Sequence, residues 1–424
     1  MNKLKLTALS LLALLAGGCS DDIKEQEPPF VICPGGPFIT PTPEGEISDL
    51  TRSSIDNING FGVELLKKTM KEAEENVCVS PISVSAVLSM LANGDTGDTR
   101  DEVLTLLGFD KGQEGLDELN FYNKTILSNL PSVDPATNYT FTNTYWHNPE
   151  ILVREDFAER IADAMFASVI DHTPAGKEGM DAINTFVEQQ TNGLIKNFIK
   201  EPLVITSAFL NTTYFKGEWE DQFWKDATIK KDFLNIDGSI SKAQFMCKTW
   251  VQYAETEDGT KAVRLPYGNG SFHMTAILPS DKINHVPLLE CMENGNLERI
   301  NESLKMERIA VELPKFECES NSEILDILKK MGLDRACDPT YGFDAIVWNG
   351  NSYLKLFKHA VKLIVNEEGT EGAAASMGGM VDSAGPDPEE PPVVSFDRPF
   401  LFLIQENTTG AILFIGVVTS FKNN

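Results

Sequence analysis

The sequence predicts an α+β domain whose helices pack around large, mostly antiparallel β-sheets. Amphipathic helical patterns dominate the first half of the 424-residue chain, and extended apolar runs dominate the second half. These runs, among them IAVELPKF, VKLIV and FLFLIQ, follow one another with no obvious linker between them. Helices and strands that are segregated along the chain without a break favour one mixed domain over two separate ones.

The start of the chain has the pattern of a bacterial export signal. Lys3 and Lys5 precede an apolar run, Leu6 to Ala16, that is too short for a stable membrane span. Residues 1–18 are therefore predicted to be a signal peptide. The small residues directly before Cys19 resemble a lipobox, in which the cysteine is lipidated and becomes the new N-terminus. An ordinary secretory signal with a chance cysteine is the alternative interpretation.

Residues 19–50 are rich in proline, glycine and acidic residues and offer little from which to build a core. We interpret them as a flexible tether between the lipid on Cys19 and a folded domain at residues 51–424. This arrangement predicts an exported bacterial lipoprotein on the outer membrane or the cell surface. The protein would contact the membrane through the lipid anchor only.

Charge and missing motifs exclude several classes of function. The formal net charge of −27, with 63 acidic and 36 basic residues, disfavours nucleic acid as a partner. The five histidines form no HExxH, and the six cysteines other than Cys19 form no CxxC pair or regular framework. GxSxG, Walker A and GxGxxG motifs are also missing from the chain. We therefore expect no metal, no cofactor and no enzymatic activity, and we expect buried free thiols or scattered partners for the cysteines.

The domain is predicted to begin with two helices. The first begins near Ser53, and its apolar residues recur with helical spacing: Ile55, Ile58, Phe61, Leu65 and Leu66. A short β-like run then ends at Ser80 and Pro81, a natural N-cap and first-turn pair. The second helix runs from there to Asn93 and Gly94.

The remaining elements alternate less regularly. Further helices are predicted at about 155–168 and 179–198. Strands are predicted at about 203–216, 261–278, 308–316, 353–366 and 393–418.

Residues 366–392 form a long predicted loop between two strands. A loop of this length without secondary structure is usually functional or disordered, and its composition alone favours a disordered linker. However, the alternate residues Thr370, Gly372, Ala374 and Ser376 are all small and uncharged, and Glu371 belongs to the other set. If this segment became a strand, one of its faces could be buried in a sheet without enclosing a charge.

The run NEEGTEGAAAS within this loop resembles the proximal hinge of inhibitory serpins, and the resemblance extends over nearly all of residues 53–422. Four further blocks of the chain carry it, together with the closing FDRPFLFLIQENTTGAILFIGVV: Asn76, Val77, Ser80, Pro81, Ser83, Gly94, Gly97 and Thr99; Asn211, Tyr214, Phe215, Lys216, Gly217, Trp219, Phe223, Thr228 and Phe233; Leu265, Pro266, Tyr267, Leu278 and Pro279; Leu313, Pro314, Lys315 and Phe316. Ala360, Phe186 and Gly372 depart from the usual pattern, where lysine, tryptophan and alanine are common.

The resemblance implies a serpin fold, with helices packed around three mostly antiparallel β-sheets and an exposed reactive-centre loop at about 367–392. It also implies a suicide mechanism, in which a serine protease cuts the loop and the hinge side inserts into the central sheet while the protease is still an acyl-enzyme. The protein would then be an inhibitor and not an enzyme. A non-inhibitory serpin that acts as a binding or carrier protein is the alternative.

Site residues follow from the same resemblance. The reactive bond is expected between Ser383 and Ala384, with cleavage after Met380, Val381 or Asp382 as alternatives. A shutter beneath the point where the sheet parts is expected from Ser80, Ser83, Asn211 and His359, for which separate capping and core roles are the alternative. The hinge is expected to comprise Glu367, Glu368, Gly369, Thr370, Glu371, Gly372, Ala373, Ala374, Ala375 and Ser376.

The loop composition also restricts the target protease. Neither lysine nor arginine occurs between Glu368 and Arg398, which argues against trypsin-like enzymes. Small and medium apolar residues favour an elastase-like target, followed by chymotrypsin-like or subtilisin-like ones. A cysteine protease is compatible with the same loop. We expect the inhibitor to be a monomer.

Overall fold

The predicted α+β architecture is present in the structure, a computed structural model that describes residues 52–70, 76–280, 296–348, 350, 352–370 and 390–422. The described helices are α1 (Arg52–Met70), α2 (Pro81–Ala92), α3 (Asp98–Leu106), α4 (Gln113–Asn129), α5 (Glu155–Met165), α6 (Gly176–Gln190), α7 (Asn296–Ser303) and α8 (Leu325–Lys330). In this part of the chain, no helix has the length and apolar character needed to cross a membrane.

The strands concentrate in the second half of the chain, as predicted. They are β1 (Val77–Val79), β2 (Asn138–His147), β3 (Ser168–Asp171), β4 (Ser207–Glu218), β5 (Ile229–Leu234), β6 (Ile240–Glu255), β7 (Lys261–Tyr267), β8 (Phe272–Leu278), β9 (Lys305–Pro314), β10 (Phe316–Glu323), β11 (Lys358–Val365), β12 (Gly369–Thr370), β13 (Val393–Ser395), β14 (Phe400–Glu406) and β15 (Ile412–Val418).

The first two helices form where their local signals place them. Helix α1 buries the apolar face that its spacing predicts. Ser80 caps α2 because its side-chain oxygen accepts the amide of Ser83, and Pro81 occupies the first turn. Every residue of α2 is buried, so this helix lies in the interior of the domain and not on its surface.

A nine-stranded sheet runs in the order β1–β15–β14–β8–β7–β6–β9–β13, with β5 also paired to β6. Strand β6 pairs with β5 through its first half and with β7 through its second half, and its pairing with β9 is bulged between Thr249 and Val251. A bulge bends its strand and increases the local twist. Strand β6 joins its neighbours on both sides into one hydrogen-bonded network, so that the described strands form two such networks where three sheets were expected.

A six-stranded sheet has the order β10–β11–β12–β4–β2–β3. Its pairing is antiparallel except between β2 and β3. Buried side chains from α1, α2 and both sheets form the main apolar core. A second apolar cluster lies between α6 and this sheet and contains Trp146, Phe186 and Leu210.

Several predicted elements have different bounds in the structure. The extended run at 261–278 is a hairpin of β7 and β8, because Gly268 and Gly270 turn the chain at positive φ. The run predicted at 308–316 contains the end of β9, at Pro314, and the start of β10, at Phe316. The run at 393–418 contains three strands, β13, β14 and β15.

The predicted helices at 155–168 and 179–198 are shorter than expected. Helix α5 ends at Met165 because Phe166 takes a left-handed conformation at φ 52°. Helix α6 ends at Gln190, and Asn192 and Gly193 follow at positive φ. The strands predicted from residues 203 and 353 begin later, at Ser207 and Lys358.

Candidate functional site

The six-stranded sheet is open between β4 and β11. Within the described ranges these two strands are joined only through β12, where Thr370 lies opposite both Gly217 of β4 and Val365 of β11. A cavity of about 310 Å³ occupies the space further along, between the Ser207–Thr213 part of β4 and the start of β11, and is bounded also by α2 and α6. Over most of their length, the two strands therefore border a space in which an additional strand could pair with both.

Residues Glu367 to Thr370 occupy the entrance to this opening and are buried. The side chain of Thr370 is fully enclosed, and its hydroxyl lies 2.6 Å from the hydroxyl of Tyr267. Burial raises the pKa of Tyr267, so its phenol stays protonated and shares a hydrogen with Thr370. Tyr267 is stacked on Trp219 with ring centroids 4.4 Å apart. Only a small side chain fits the space that Thr370 fills.

The backbone of this segment is held by hydrogen bonds from the chain that follows β4. The amide of Trp219 donates to Glu368 O at 2.8 Å, and the amide of Phe223 donates to Glu367 O at 2.9 Å. The indole of Trp219 donates to Asn366 O at 2.9 Å. Asn366 in turn closes a tight turn, because its side-chain oxygen accepts the amides of Glu368 and Gly369.

Gly369 is required by the close approach of two backbones. A Cβ atom at this position would lie 2.0 Å from the carbonyl oxygen of Gly217 and 2.8 Å from the Cα of Glu218. Any side chain would therefore push β12 away from β4.

Both carboxylates at the entrance are enclosed and paired. Glu367 accepts a hydrogen bond from Thr228 Oγ1 at 2.7 Å and forms an ion pair with Lys315 Nζ at 3.0 Å. Burial alone would raise the pKa of Glu367, but the hydrogen bonds from Thr228 and Lys315 outweigh it, so that its pKa lies below the ordinary value. Glu368 forms an ion pair with Lys225, and this hydrogen bond raises the pKa of Lys225.

The four predicted shutter residues form one hydrogen-bonded cluster beside the cavity. The amide of Ser80 donates to His359 Nε2 at 3.1 Å, and the amide of Ser83 donates to Ser80 Oγ at 3.3 Å. The hydroxyl of Ser83 donates to Asn211 Oδ1. The cluster therefore connects α2 with both strands that border the opening.

His359 is neutral in this cluster. Burial lowers its pKa to about 4, so Nε2 carries no proton at neutral pH and accepts from the amide of Ser80. Asn211 extends the network into β2, because its Nδ2 donates to Asn143 Oδ1 at 2.7 Å, and Asn143 donates to Met165 O. A buried polar network of this kind is stable only while each member keeps its partners.

The structure thus gives different outcomes for the predicted site residues. Gly369 and Thr370 pair in the sheet as β12, and Glu367 and Glu368 are buried just before it, whereas the expectation was an exposed segment. The hinge residues from Glu371 to Ser376, the candidate cleavage residues from Met380 to Ala384 and the lipidation residue Cys19 lie outside the described residues.

Sequence reasoning did not assign a role to several residues that hold the entrance. Trp219, Tyr267, Thr228 and Lys315 carry the family resemblance, which was the available signal, but their contacts with the hinge depend on the tertiary fold. Asn143 and Lys225 had no sequence signal.

The cysteines and acidic residues add no second site within the described ranges. Cys78, Cys247, Cys318 and Cys337 are free thiols, and burial raises the pKa of Cys337 to about 11. A thiol with a pKa raised in this way is a poor nucleophile at neutral pH. The described residues contain no group of three or more His, Cys, Asp or Glu side chains that could hold a metal ion. Cys33 and Cys291 lie outside the described residues.

Comparison with known proteins relates this arrangement to one family. The profile described as Serpin (serine protease inhibitor) matches residues 56–421. Serpin-Z10 of Arabidopsis thaliana is 31% identical over 383 residues, which cover 86% of this chain and 97% of that protein. Iripin-3 of Ixodes ricinus is 30% identical over 374 residues, which cover 85% and 93%.

Solved structures give the same relationship. The thermophilic serpin tengpin in its native state superposes with a TM-score of 0.80 and 26% identity, covering 90% of this chain and 98% of that chain. Thyroxine-binding globulin in complex with thyroxine superposes with a TM-score of 0.76 at 22% identity, covering 87% and 98%, and this similarity shows the fold alone. With a family profile that spans the domain and relatives about a third identical along it, the chain belongs to the serpin family of protease inhibitors.

Proposed function

We propose that this protein is a single-use inhibitor that traps a serine protease as an acyl-enzyme. The observation that carries the proposal is the position of Gly369 and Thr370 between β4 and β11, at the end of an opening along which these strands have no further partner among the described residues. An added strand would gain hydrogen bonds on both sides and would bury its small alternate side chains. That gain is the driving force that a trapping mechanism needs.

The register of β12 indicates where such a strand would lie. Continued antiparallel to β4 from the pair Thr370 and Gly217, it would place Ser376 opposite Asn211. Continued antiparallel to β11 from the pair Thr370 and Val365, it would place the same Ser376 opposite His359. The inserting strand would therefore bring a small polar residue to the polar cluster, directly after the small residues Ala373 to Ala375.

The chemical steps follow those of peptide hydrolysis up to the acyl-enzyme. The protease serine attacks the carbonyl carbon of Ser383, the bond to the nitrogen of Ala384 breaks, and the amine leaves with a proton from the protease base. The protease is then esterified to the segment that continues from the hinge. Insertion of that segment moves the ester and the protease together, and it disturbs the oxyanion site before water can complete hydrolysis.

The proposed target is an elastase-like protease, with chymotrypsin-like and subtilisin-like enzymes next. Ser383 and its neighbours Val381 and Asp382 present no cation to an anionic primary pocket. The alternative functions, capture of a cysteine protease and service as a carrier, remain outcomes of the test below.

We would test this by mixing the purified full-length protein with an elastase-like protease and analysing the products by denaturing electrophoresis and mass spectrometry. An SDS-stable complex together with a released peptide that begins at Ala384 is the expected result. Protease whose active serine has been blocked beforehand is the matched control and should give neither product. Cleavage that leaves the protease fully active would contradict trapping and would favour the non-inhibitory function.

We also propose that Cys19 is lipidated and that the protein is displayed on the outer membrane or cell surface as a monomer. The support is the signal pattern before Cys19 and the proline-rich, acidic spacer after it. Replacement of this residue (Cys19→Ser) should move the protein from the membrane fraction to the soluble fraction and abolish labelling with a radioactive fatty acid. Unchanged membrane retention of the variant would contradict the anchor.

A further inference from the structure

The connection between β4 and β5 supplies most of the contacts that hold the hinge entrance. Its residues Trp219 and Phe223 hold the backbone, and Thr228 binds the carboxylate of Glu367. These three residues belong to the pattern shared with serpins. Lys225 lies in a short 3₁₀ turn of the same connection, pairs with Glu368, and is not among the residues that carry the resemblance.

Glu368 depends on Lys225 for its counter-charge. The side chain of Glu368 is 9% exposed, whereas that of Lys225 is 57% exposed. Among the described residues, Lys225 is the only cation within ion-pair distance of Glu368, while the neighbouring Glu367 has both Lys315 and Thr228. A carboxylate enclosed without a partner is strongly unfavourable. Loss of Lys225 would therefore destabilise the buried position of the Glu368 carboxylate.

Movement of Glu368 toward water would relieve that penalty, and it would displace its neighbours. Gly369 and Thr370, the described residues of β12, follow Glu368 directly. They pair with β4 and β11, and the backbone just before them accepts hydrogen bonds from the amides of Trp219 and Phe223. The ion pair therefore acts together with these bonds to hold Gly369 and Thr370 between the two strands.

We propose that Lys225 is a positioning residue that keeps Gly369 and Thr370 seated and so sets how fast the cut loop enters the sheet. The consequence for the rate rests on the proposed function above, whereas the seating does not. A seated hinge has already formed the first residues of the new strand, so that insertion extends an existing strand instead of nucleating one. An unseated hinge must first return to the entrance.

The test uses full-length protein and four variants. Lys225→Met removes the charge, Lys225→Arg preserves it, and the double variant Lys225→Met with Glu368→Gln removes both charges of the pair. Lys242→Met is the matched control, because Lys242 is 55% exposed and pairs with Asp232 at 2.6 Å on the nine-stranded sheet. Glu368→Gln in the double variant keeps the side-chain shape and removes the enclosed charge.

Two measurements separate the seating from its consequence. Amide hydrogen exchange of the segment from Asn366 to Thr370 in the uncut protein should accelerate by about tenfold or more in Lys225→Met, corresponding to about 1.4 kcal/mol of lost protection. After rapid cutting of the loop with elastase, the acquisition of heat stability should slow by a similar factor. Lys225→Arg and the double variant should lie within about threefold of the wild type in both measurements, and Lys242→Met should be unchanged.

The outcomes decide the two proposals separately. Exchange in Lys225→Met equal to that of the wild type would overturn the positioning role, whatever the inhibitory activity. Equal slowing in Lys225→Met and in the double variant would also overturn it, because the effect would not run through Glu368. A wild-type protein that gains no heat stability after cutting would refute insertion itself. The exchange data would still decide whether Lys225 keeps Gly369 and Thr370 between β4 and β11.

Discussion

Replacement of Thr370 by arginine should convert the inhibitor into a substrate. The threonine side chain has no exposed surface and lies against Tyr267, with a hydroxyl contact of 2.6 Å. An arginine at this position must either bury its own guanidinium group or keep the hinge out of the sheet. The effective cost of enclosing an unpaired ion is several kcal/mol, and a cost of about 3 kcal/mol slows insertion about a hundredfold.

The assay measures the ratio of SDS-stable complex to cleaved inhibitor at equal loop cleavage. We expect this ratio to fall by about a hundredfold in Thr370→Arg, since insertion and hydrolysis of the acyl-enzyme compete for the same intermediate. Thr370→Val keeps the shape but leaves the Tyr267 hydroxyl without its partner, which costs about 1–3 kcal/mol, so its ratio should be intermediate. Variants would be compared only after their melting temperatures show that they fold.

The matched control is Glu371→Arg. Residue 371 belongs to the alternate set of side chains, which would face away from the core in an inserted strand. This variant should therefore keep most of the wild-type ratio although it carries the same new charge at the adjacent position. A ratio unchanged in Thr370→Arg, or equally reduced in both variants, would refute the argument that side-chain parity governs insertion.

Three further predictions concern the entrance and the polar cluster. Gly369→Ala should unseat β12, because the new Cβ would meet Gly217 O at 2.0 Å; faster amide exchange at residues 366–370 checks this, and exchange as slow as in the wild type would contradict it. Lys315→Gln should reduce the free energy of unfolding by about 1–2 kcal/mol at pH 7. Because the pKa of Glu367 is lowered in the folded state, that difference should be fully present above the unfolded glutamate pKa and should shrink as the pH falls below it; a difference that is constant down to pH 3 would contradict the assignment. His359→Gln should flatten the fall in the free energy of unfolding between pH 6.5 and pH 4. The folded pKa of His359, about 4, lies below the unfolded value, so protonation of the unfolded chain lowers the free energy of unfolding by on the order of 3 kcal/mol in the wild type only. Denaturant unfolding at several pH values measures this difference, and parallel pH profiles for both proteins would refute it.

Local signals in the sequence were sufficient where structure is decided locally. The spacing of Ile55, Ile58 and Phe61 predicted α1, and the Ser80–Pro81 pair predicted the start of α2. Strand β6 was not predicted, although it is the longest described strand. Its bulge at Trp250, which has φ 65°, interrupts the period of two that identifies a strand. Strand β2 mixes buried and exposed positions without regular alternation and was also missed.

The site was predicted only in part, because much of it exists only after folding. The family resemblance named the residues of the polar cluster, and the structure brings Ser80, Ser83, Asn211 and His359 together. Asn143, which supports Asn211, lies on the strand that was missed. Lys225 and Glu368 are far apart in the chain and have no shared pattern, so only the path of the β4–β5 connection reveals their contact.

The alternation of small residues after Thr370 and the polar cluster beside the cavity have one explanation in the register of β12. Carried along either neighbouring strand, that register leads Ser376 to Asn211 on one side and to His359 on the other. An alanine or valine at 376 would bring no hydrogen-bonding group to this polar cluster. A larger polar side chain would have to disrupt the bond between Ser83 and Asn211 or the bond from the amide of Ser80 to His359. Serine is small enough to enter and can both donate and accept a hydrogen bond. The small side chains at alternate hinge positions therefore fit the opening between β4 and β11 beside the polar cluster as well as at the entrance. A linker of arbitrary composition would have no reason to keep this alternation.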